Sequence, residues 1–415
     1  MTFLGLFVLI FYLSLYTVLF FLIGRYFFKK PLRIISLPCL WVITEFLKEN
    51  IWTGFGWANL GYSQYHNLHL IQAADIGGVK LISFLIVLVN VFIWEAAEKK
   101  GTVKKSIFVF SVFTAVFVYS FYRLDTLKET GSIKVSLVQP NIPQELKWEP
   151  NSSASIIETL NVLGKSTDKD SLVIFPEAAW PQIIKDKQAK SISDFATGIN
   201  RELLIGTLSE EEGKFYNAAL LFCGSIYYEN IVLTGAYRKV KLVPFGEYVP
   251  LRNFLSFIPV LNAVGDISPG KDLTNFSHQG FYFSTVICFE DVLPNYFSQI
   301  VSNNDFLVNI TNDAWFGGNP QSRQHLAIMI FRAVENRVSI VRSANTGISG
   351  WVSFRGELNI FQDQGREVFF PGVKTFTISL HNKRALYAVG SELFTVFCGI
   401  FLLGIFIRDG LLKEV

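Results

Sequence analysis

The sequence predicts an α+β membrane protein: a bundle of membrane-spanning helices, a layered α/β domain outside the membrane, and one more spanning helix near the C-terminus. Three observations predict it. Half of the 415 residues are hydrophobic and only 17% are charged, against roughly a quarter charged in soluble domains. The apolar residues collect in long, nearly uncharged runs at the two ends of the chain. The middle alternates short β-branched runs with segments of helical periodicity, the pattern of layered α/β packing. A formal net charge of +3, with no basic face interleaved with aromatics, gives no basis for a nucleic-acid partner. The four cysteines, Cys39, Cys223, Cys288 and Cys398, lie far apart without a C-x-x-C pair or a histidine at zinc spacing. Neither a disulfide framework nor a metal site is expected from them.

Residues 2–26 are almost uncharged. They are long enough to cross a bilayer core, which needs about 20 helical residues, and they lack the small-residue cleavage site of a secretory signal. A shorter apolar stretch at 32–46 and longer ones at 79–94 and 106–122 complete four expected spans. Residues 388–407, uncharged apart from Glu392, are a fifth. Arg25, Lys29, Lys30 and Arg33 fall between the first two spans, and Lys99, Lys100, Lys104 and Lys105 between the third and fourth. The positive-inside rule places both loops in the cytoplasm. Residues 123–387 are then outside, and the fifth span returns Arg408 and Lys413 to the cytoplasm. The expected domains are a transmembrane part at 1–122, an extracytoplasmic domain at 132–387 and a C-terminal transmembrane helix at 388–407. The loop 49–78 contains IWTGFGWANLGYSQYHNLHLI. It reads either as an aromatic anchor at the lipid interface or as a re-entrant segment that shapes a cleft.

From Ser132 onward the composition becomes that of an α/β protein. Strands are expected at 133–138, 171–175, 203–206, 217–222, 230–236, 281–288, 306–310 and 339–343, and helices at 153–163, 192–200 and 321–336. The last helix carries Leu326, Ile328, Met329, Ile330, Ala333 and Val334 at helical spacing. The apolar stretch 251–264 reads either as core or as an amphipathic arm that dips into the outer leaflet.

Three short stretches set a reactive side chain directly after an apolar strand. VIFPEAAWP presents Glu177 between prolines. YRKVKLVPFGEYVP presents Lys239 and, eight residues on, Glu247. FYFSTVICFED presents Cys288. Alone, each has an ordinary reading: a solvated strand end, a surface lysine, a packed thiol. A cysteine attacks only as thiolate and therefore needs a base nearby.

Taken in order, the PE, K-x4-PFGE and CFE contexts resemble the carbon–nitrogen hydrolase (nitrilase) superfamily over residues 133–380. SLVQPNIPQELKWEP, KLVPFGEYVPL, NITNDAWFG and RQHLAIMIFRAVENRVSIVRSANTGIS resemble one membrane branch of it, the bacterial apolipoprotein N-acyltransferases. The resemblance implies an α-β-β-α sandwich and a thioester mechanism. It implies Glu177 as general base, Lys239 at the oxyanion, Cys288 as nucleophile, Glu247 as the partner of Lys239, and Glu290 as a further acid. It also implies that Trp148 handles substrate and that Asn312 to Gly317 and the following helix complete the pocket, with Arg342 and Asn345 anchoring it. By their own position Trp315 and Phe316 are either core or lining of the site, and His325, close behind the DAWFG loop, is the histidine best placed to line the pocket. Phe289 stands where the family often has tyrosine, so a hydroxyl is lost. The implied donor is a membrane phospholipid, phosphatidylethanolamine first, cleaved at its sn-1 ester. The implied acceptor is the N-terminal amine of a diacylglyceryl-cysteine apolipoprotein. No cofactor is implied, and the location is the bacterial inner membrane with the catalytic domain on the periplasmic side. Family members usually carry about three more N-terminal spans, so a shortened membrane part is expected, still with the catalytic domain outside. Two other readings share the triad: a membrane-tethered amidase or nitrilase that uses water as acceptor, and a weakened paralogue that binds lipoproteins.

Overall fold

The computed structural model describes residues 2–100, 102–147, 149–185, 190–225, 228–258, 261, 264–317 and 319–411. They form two compact units: Met1–Lys128 with Val334–Arg337 and Arg384–Val415, and Glu129–Ala333 with Val338–Lys383.

The first unit is helical. It begins with α1 (Thr2–Phe28), α2 (Arg33–Asn50), α3 (Ala74–Ala97) and α4 (Val103–Thr126). Gly5–Phe28, Ala74–Ala97 and Val103–Thr126 are each long and apolar enough to cross a membrane. The α2 segment is helical for 18 residues but carries Glu45, Lys48 and Glu49 in its last turns. Near its start α3 breaks helical geometry at Gly78, whose φ is 66°. Only glycine fits there, because a Cβ would sit 2.4 Å from the Tyr387 ring. Several buried charges in this unit are paired. Lys80 Nζ lies 2.8 Å from Glu49 Oε2 and 2.9 Å from Glu392 Oε1.

The second unit stacks two sheets. In the first, strands run in the order β13-β1-β2-β4-β5-β6, with β3 also on β4. Their ranges are β1 Gly131–Gln139, β2 Leu172–Ile174, β3 Ile183–Lys185, β4 Leu203–Glu211, β5 Lys214–Ser225, β6 Tyr228–Arg238 and β13 Gly372–Leu380. The second sheet has the order β12-β11-β10-β9-β8-β7. It comprises β7 Asn275–His278, β8 Phe281–Ile287, β9 Phe306–Thr311, β10 Ser339–Ala344, β11 Gly350–Val352 and β12 Leu358–Ile360. The period of two along β1 turns Ile133, Val135 and Leu137 toward a core shared with Phe283, Ile287, Val308 and Val341 of the second sheet. Val138 faces the other way, into a second core with Ile156, Leu160, Phe195 and Ile199. Those residues belong to α5 (Ser153–Lys165) and α6 (Lys190–Ile199), which cover the first sheet. The parallel strands β8, β9 and β10 need crossovers. These run through α7 (Pro294–Val301) and α8 (Asn319–Asn336). The unit is thus a nitrilase-like α-β-β-α sandwich. The last helix, α9 (Leu393–Leu411), starts five residues later than the apolar run suggests. A separate short helix, Leu386–Val389, precedes it.

Candidate active site

The reactive side chains stand where strands of both sheets end. After β2 the chain turns through Pro176, Glu177 and Ala178, whose φ of 44° is left-handed. Gly206 on the neighbouring β4 permits this turn. A Cβ there would lie 2.4 Å from the Pro176 carbonyl oxygen and 2.7 Å from the Glu177 Cα. The Glu177 carboxylate is held from two sides: Asn312 N donates to Oε2 at 2.9 Å and Asn217 Nδ2 to Oε1 at 2.7 Å. The same amide of Asn217 also donates to Glu247 Oε1 at 3.0 Å.

Lys239 follows β6 and is 1% exposed. Its Nζ is 2.9 Å from Glu247 Oε2 and 3.6 Å from Glu177 Oε1. Burial works against its charge, but Glu177 and Glu247 outweigh it and hold the ammonium above its ordinary value. The Glu247 carboxylate also caps its own turn, accepting from Val243 N at 2.8 Å.

Cys288 directly follows β8, with a left-handed φ of 52°. For a non-glycine residue that conformation is uncommon and is maintained by its surroundings. Asn309 Nδ2 donates to the Cys288 carbonyl at 3.4 Å and to Asp291 Oδ2 at 3.0 Å. Burial first, then Glu177, push the thiol well above its usual range, while Lys239 and a hydrogen bond from Thr311 pull it down. The resting group is therefore a thiol that must lose its proton during attack, with a carboxylate and an ammonium on hand.

Glu290, fully buried, faces the scaffold of this site. It accepts from Tyr237 Oη (2.7 Å), Val240 N (2.8 Å), Lys241 N (2.9 Å) and Ile287 N (2.8 Å). These contacts tie the chain around Lys239 to the strand end that bears Cys288. Burial raises its carboxyl, and the Lys241 and Ile287 amides hold that rise back. Phe289 is half-buried beside it.

Beneath Cys288 lies a second buried set. His325 Nε2 is 2.7 Å from Asp291 Oδ1, and Arg342 Nη2 lies 2.8 Å from His325 Nδ1 and donates to Asp313 Oδ2 at 3.1 Å. Burial and then Arg342 oppose a charge on the imidazole, but Asp291 and Asp313 outweigh them and hold His325 above its ordinary value. His325 is wholly buried rather than lining a pocket. Asn345 Nδ2 donates to Asn312 Oδ1 at 3.1 Å. Trp315 and Phe316 lie in a 3-10 turn, Asp313–Phe316; their side chains, like Trp148, lie outside the described residues.

Two functional candidates escape the sequence reading. Asn217 is a polar residue in an otherwise apolar strand, and that irregularity was its only signal. Lys147 is 1% exposed and donates to the Glu177 carbonyl at 3.2 Å. In the charged stretch QELKWEP it reads as solvated. Among the described residues no group of three or more His, Cys, Asp or Glu side chains is arranged to hold a metal.

The family model described as apolipoprotein N-acyltransferase N-terminal domain matches residues 1–92, and that described as carbon-nitrogen hydrolase matches residues 134–377. The apolipoprotein N-acyltransferase of Geobacter metallireducens is 36% identical over 369 residues, covering 84% of this chain and 70% of that protein. That of Haemophilus ducreyi is 32% identical over 365 residues, again covering 84% and 70%. Among solved structures, the Saccharomyces cerevisiae nitrilase-superfamily protein Nit3 aligns with a TM-score of 0.44 and 17% identity. The alignment covers 64% of this chain and 95% of that one.

Proposed function

The chain belongs to the apolipoprotein N-acyltransferase family, and from that premise we propose an acyl transfer in two steps through a thioester on Cys288. Glu177 takes the thiol proton as sulfur attacks the sn-1 ester carbonyl of a phospholipid, phosphatidylethanolamine in the first instance. The Lys239 ammonium stabilises the oxyanion, and Glu247 keeps that ammonium in place. As the tetrahedral intermediate collapses, the lysophospholipid alkoxide leaves with the proton from Glu177. The α-amine of a diacylglyceryl-cysteine apolipoprotein then attacks the thioester. Glu177 accepts the amine proton and returns it to the departing sulfur. The products are an amide and free Cys288. The ester's free energy is carried through the thioester, so the steps balance without a further reactant. Water must be kept out, or the thioester hydrolyses.

The observation that carries this reading is the strand-end Cys288 with Glu177, Lys239 and Glu247 converging through Asn217. The apolar helices of the first unit support a membrane enzyme. The basic loops support an inner-membrane orientation with the catalytic domain outside.

Incubating the detergent-purified protein with phosphatidylethanolamine of defined chains tests the first step. The expected outcome is one hydroxylamine-labile acyl group by intact mass, absent from Cys288→Ala. A folded wild-type protein that gains no adduct would overturn the proposal.

A further inference from the structure

Lys147 has no part in the two steps above, yet the fold goes to some length to bury it. It ends the turn 141–147, which Asn345 brackets by accepting from Ile142 N at 2.9 Å and donating to its carbonyl at 2.8 Å. Gln144 Oε1 in the same turn accepts from Asn312 Nδ2 at 2.8 Å, and Asn312 is the residue whose backbone N–H holds Glu177. The turn thus delivers Lys147 to the back of the base, where its Nζ reaches the Glu177 carbonyl. Lysines are almost never fully buried unless paired, and a single carbonyl does not repay the desolvation of an ammonium.

We infer that Lys147 is a positioning residue for the base: its ammonium sits behind Glu177, keeping the carboxylate ionised and in place to take the Cys288 proton. The inference rests on the acyl-transfer reading of the site. Among the described residues, the titratable groups around Glu177 and the thiol are Lys239 at 3.6 Å, Glu247 through the shared Asn217 amide, Lys147, Glu290 acting on Lys239 and Asp313 acting on Cys288. With Lys239 alone, two carboxylates share one cation. Lys147 adds a second cation, and moving the proton from sulfur to carboxylate leaves the total charge unchanged. Burial lowers Lys147 to about 8 against the pull of Glu177, so the charge is present at neutral pH and lost above it. Because the folded value lies below the ordinary lysine range, the charged form burdens folding, and stability rises as pH passes through the folded value.

The test is Cys288 alkylation by iodoacetamide, read by mass at the Cys288 peptide across about pH 5 to 9. It needs no lipid. In K147M the acid limb should move up by about one unit, so that alkylation is about tenfold slower along it. The two proteins should converge above about pH 8, where wild-type Lys147 has itself lost its charge. K147R should retain the wild-type limb. K147M should also melt no lower than wild type at neutral pH. Superimposable profiles, or a pH-independent loss with a lower melting temperature, would overturn the inference. If K147M does not fold, K147Q carries the same comparison. A normal alkylation series with no acylation by lipid would sink the acyl-transfer reading and leave the role of Lys147 standing.

Discussion

Glu177 and Glu247 share one amide donor, Asn217, and one ammonium, Lys239, so each carboxylate limits where the other's partners can go. Glu247 is the nearer to Lys239, at 2.9 Å against 3.6 Å for Glu177. That difference matters chemically: a base locked in a tight ion pair is a poor proton acceptor, and Glu247 keeps the ammonium from closing on Glu177. Glu247→Gln should let Lys239 settle on Glu177 and slow acylation of Cys288 by about a hundredfold. The rate of adduct growth by mass measures this. A rate within about twofold of wild type would remove Glu247 from the site's working parts.

At the scale of elements, the site depends on two strand ends that leave the sheet with left-handed residues, Ala178 after β2 and Cys288 after β8. The first exists because Gly206 of β4 leaves room beneath it. Gly206→Ala forces a methyl group into the Pro176 carbonyl and should move the Glu177 carboxylate. A displacement of about 1 Å at a catalytic group costs on the order of a hundredfold in rate. The expected variant folds, keeps Lys239 and Cys288 in place, and loses acylation. Near-normal acylation would show that the turn relaxes without moving the base. The buried Asp291–His325–Arg342–Asp313 set plays the corresponding part under β8. Burial opposes ionisation of Asp313, but Arg342 and His325 outweigh it and hold the carboxyl well below its usual range. Its contribution to stability is therefore intact at neutral pH, begins to fade as pH falls through the ordinary carboxylate range, and is lost by the time pH has fallen through that low folded value.

At the scale of the whole molecule, each unit meets its own solvent problem. The sandwich buries apolar strand faces between sheets and under helices. The helical unit exposes apolar side chains such as Phe7, Phe21, Phe110 and Phe121, which suits a bilayer, and pairs several of the charges it buries. Lys80, 3% exposed, holds Glu49 and Glu392 together. Lys80→Met leaves two carboxylates without their cation and should cost about 3–5 kcal/mol. Thermal unfolding in detergent reads this as a lower melting temperature, which Lys80→Arg should largely restore. An unchanged melting temperature for Lys80→Met would mean that the carboxylates protonate or reach water at no cost.

The order Glu177, Lys239, Cys288 and the layered α/β class were legible in the sequence, because strand runs and reactive residues at their ends are local patterns. The long apolar helices were legible for the same reason, since a span is a property of about 20 consecutive residues. The limits of α9 were less so: hydropathy cannot distinguish a helix from the short helix and turn before it. What only the tertiary structure decided is which groups share a charge. Asn217, 40 residues from Glu177, and Lys147, 30 residues away, meet Glu177 because β1, β2 and β5 lie in one sheet. No spacing in the chain encodes that meeting. Burial, which turns a lysine of a charged stretch into one that titrates near 8, comes from packing of the whole unit and has no local signature.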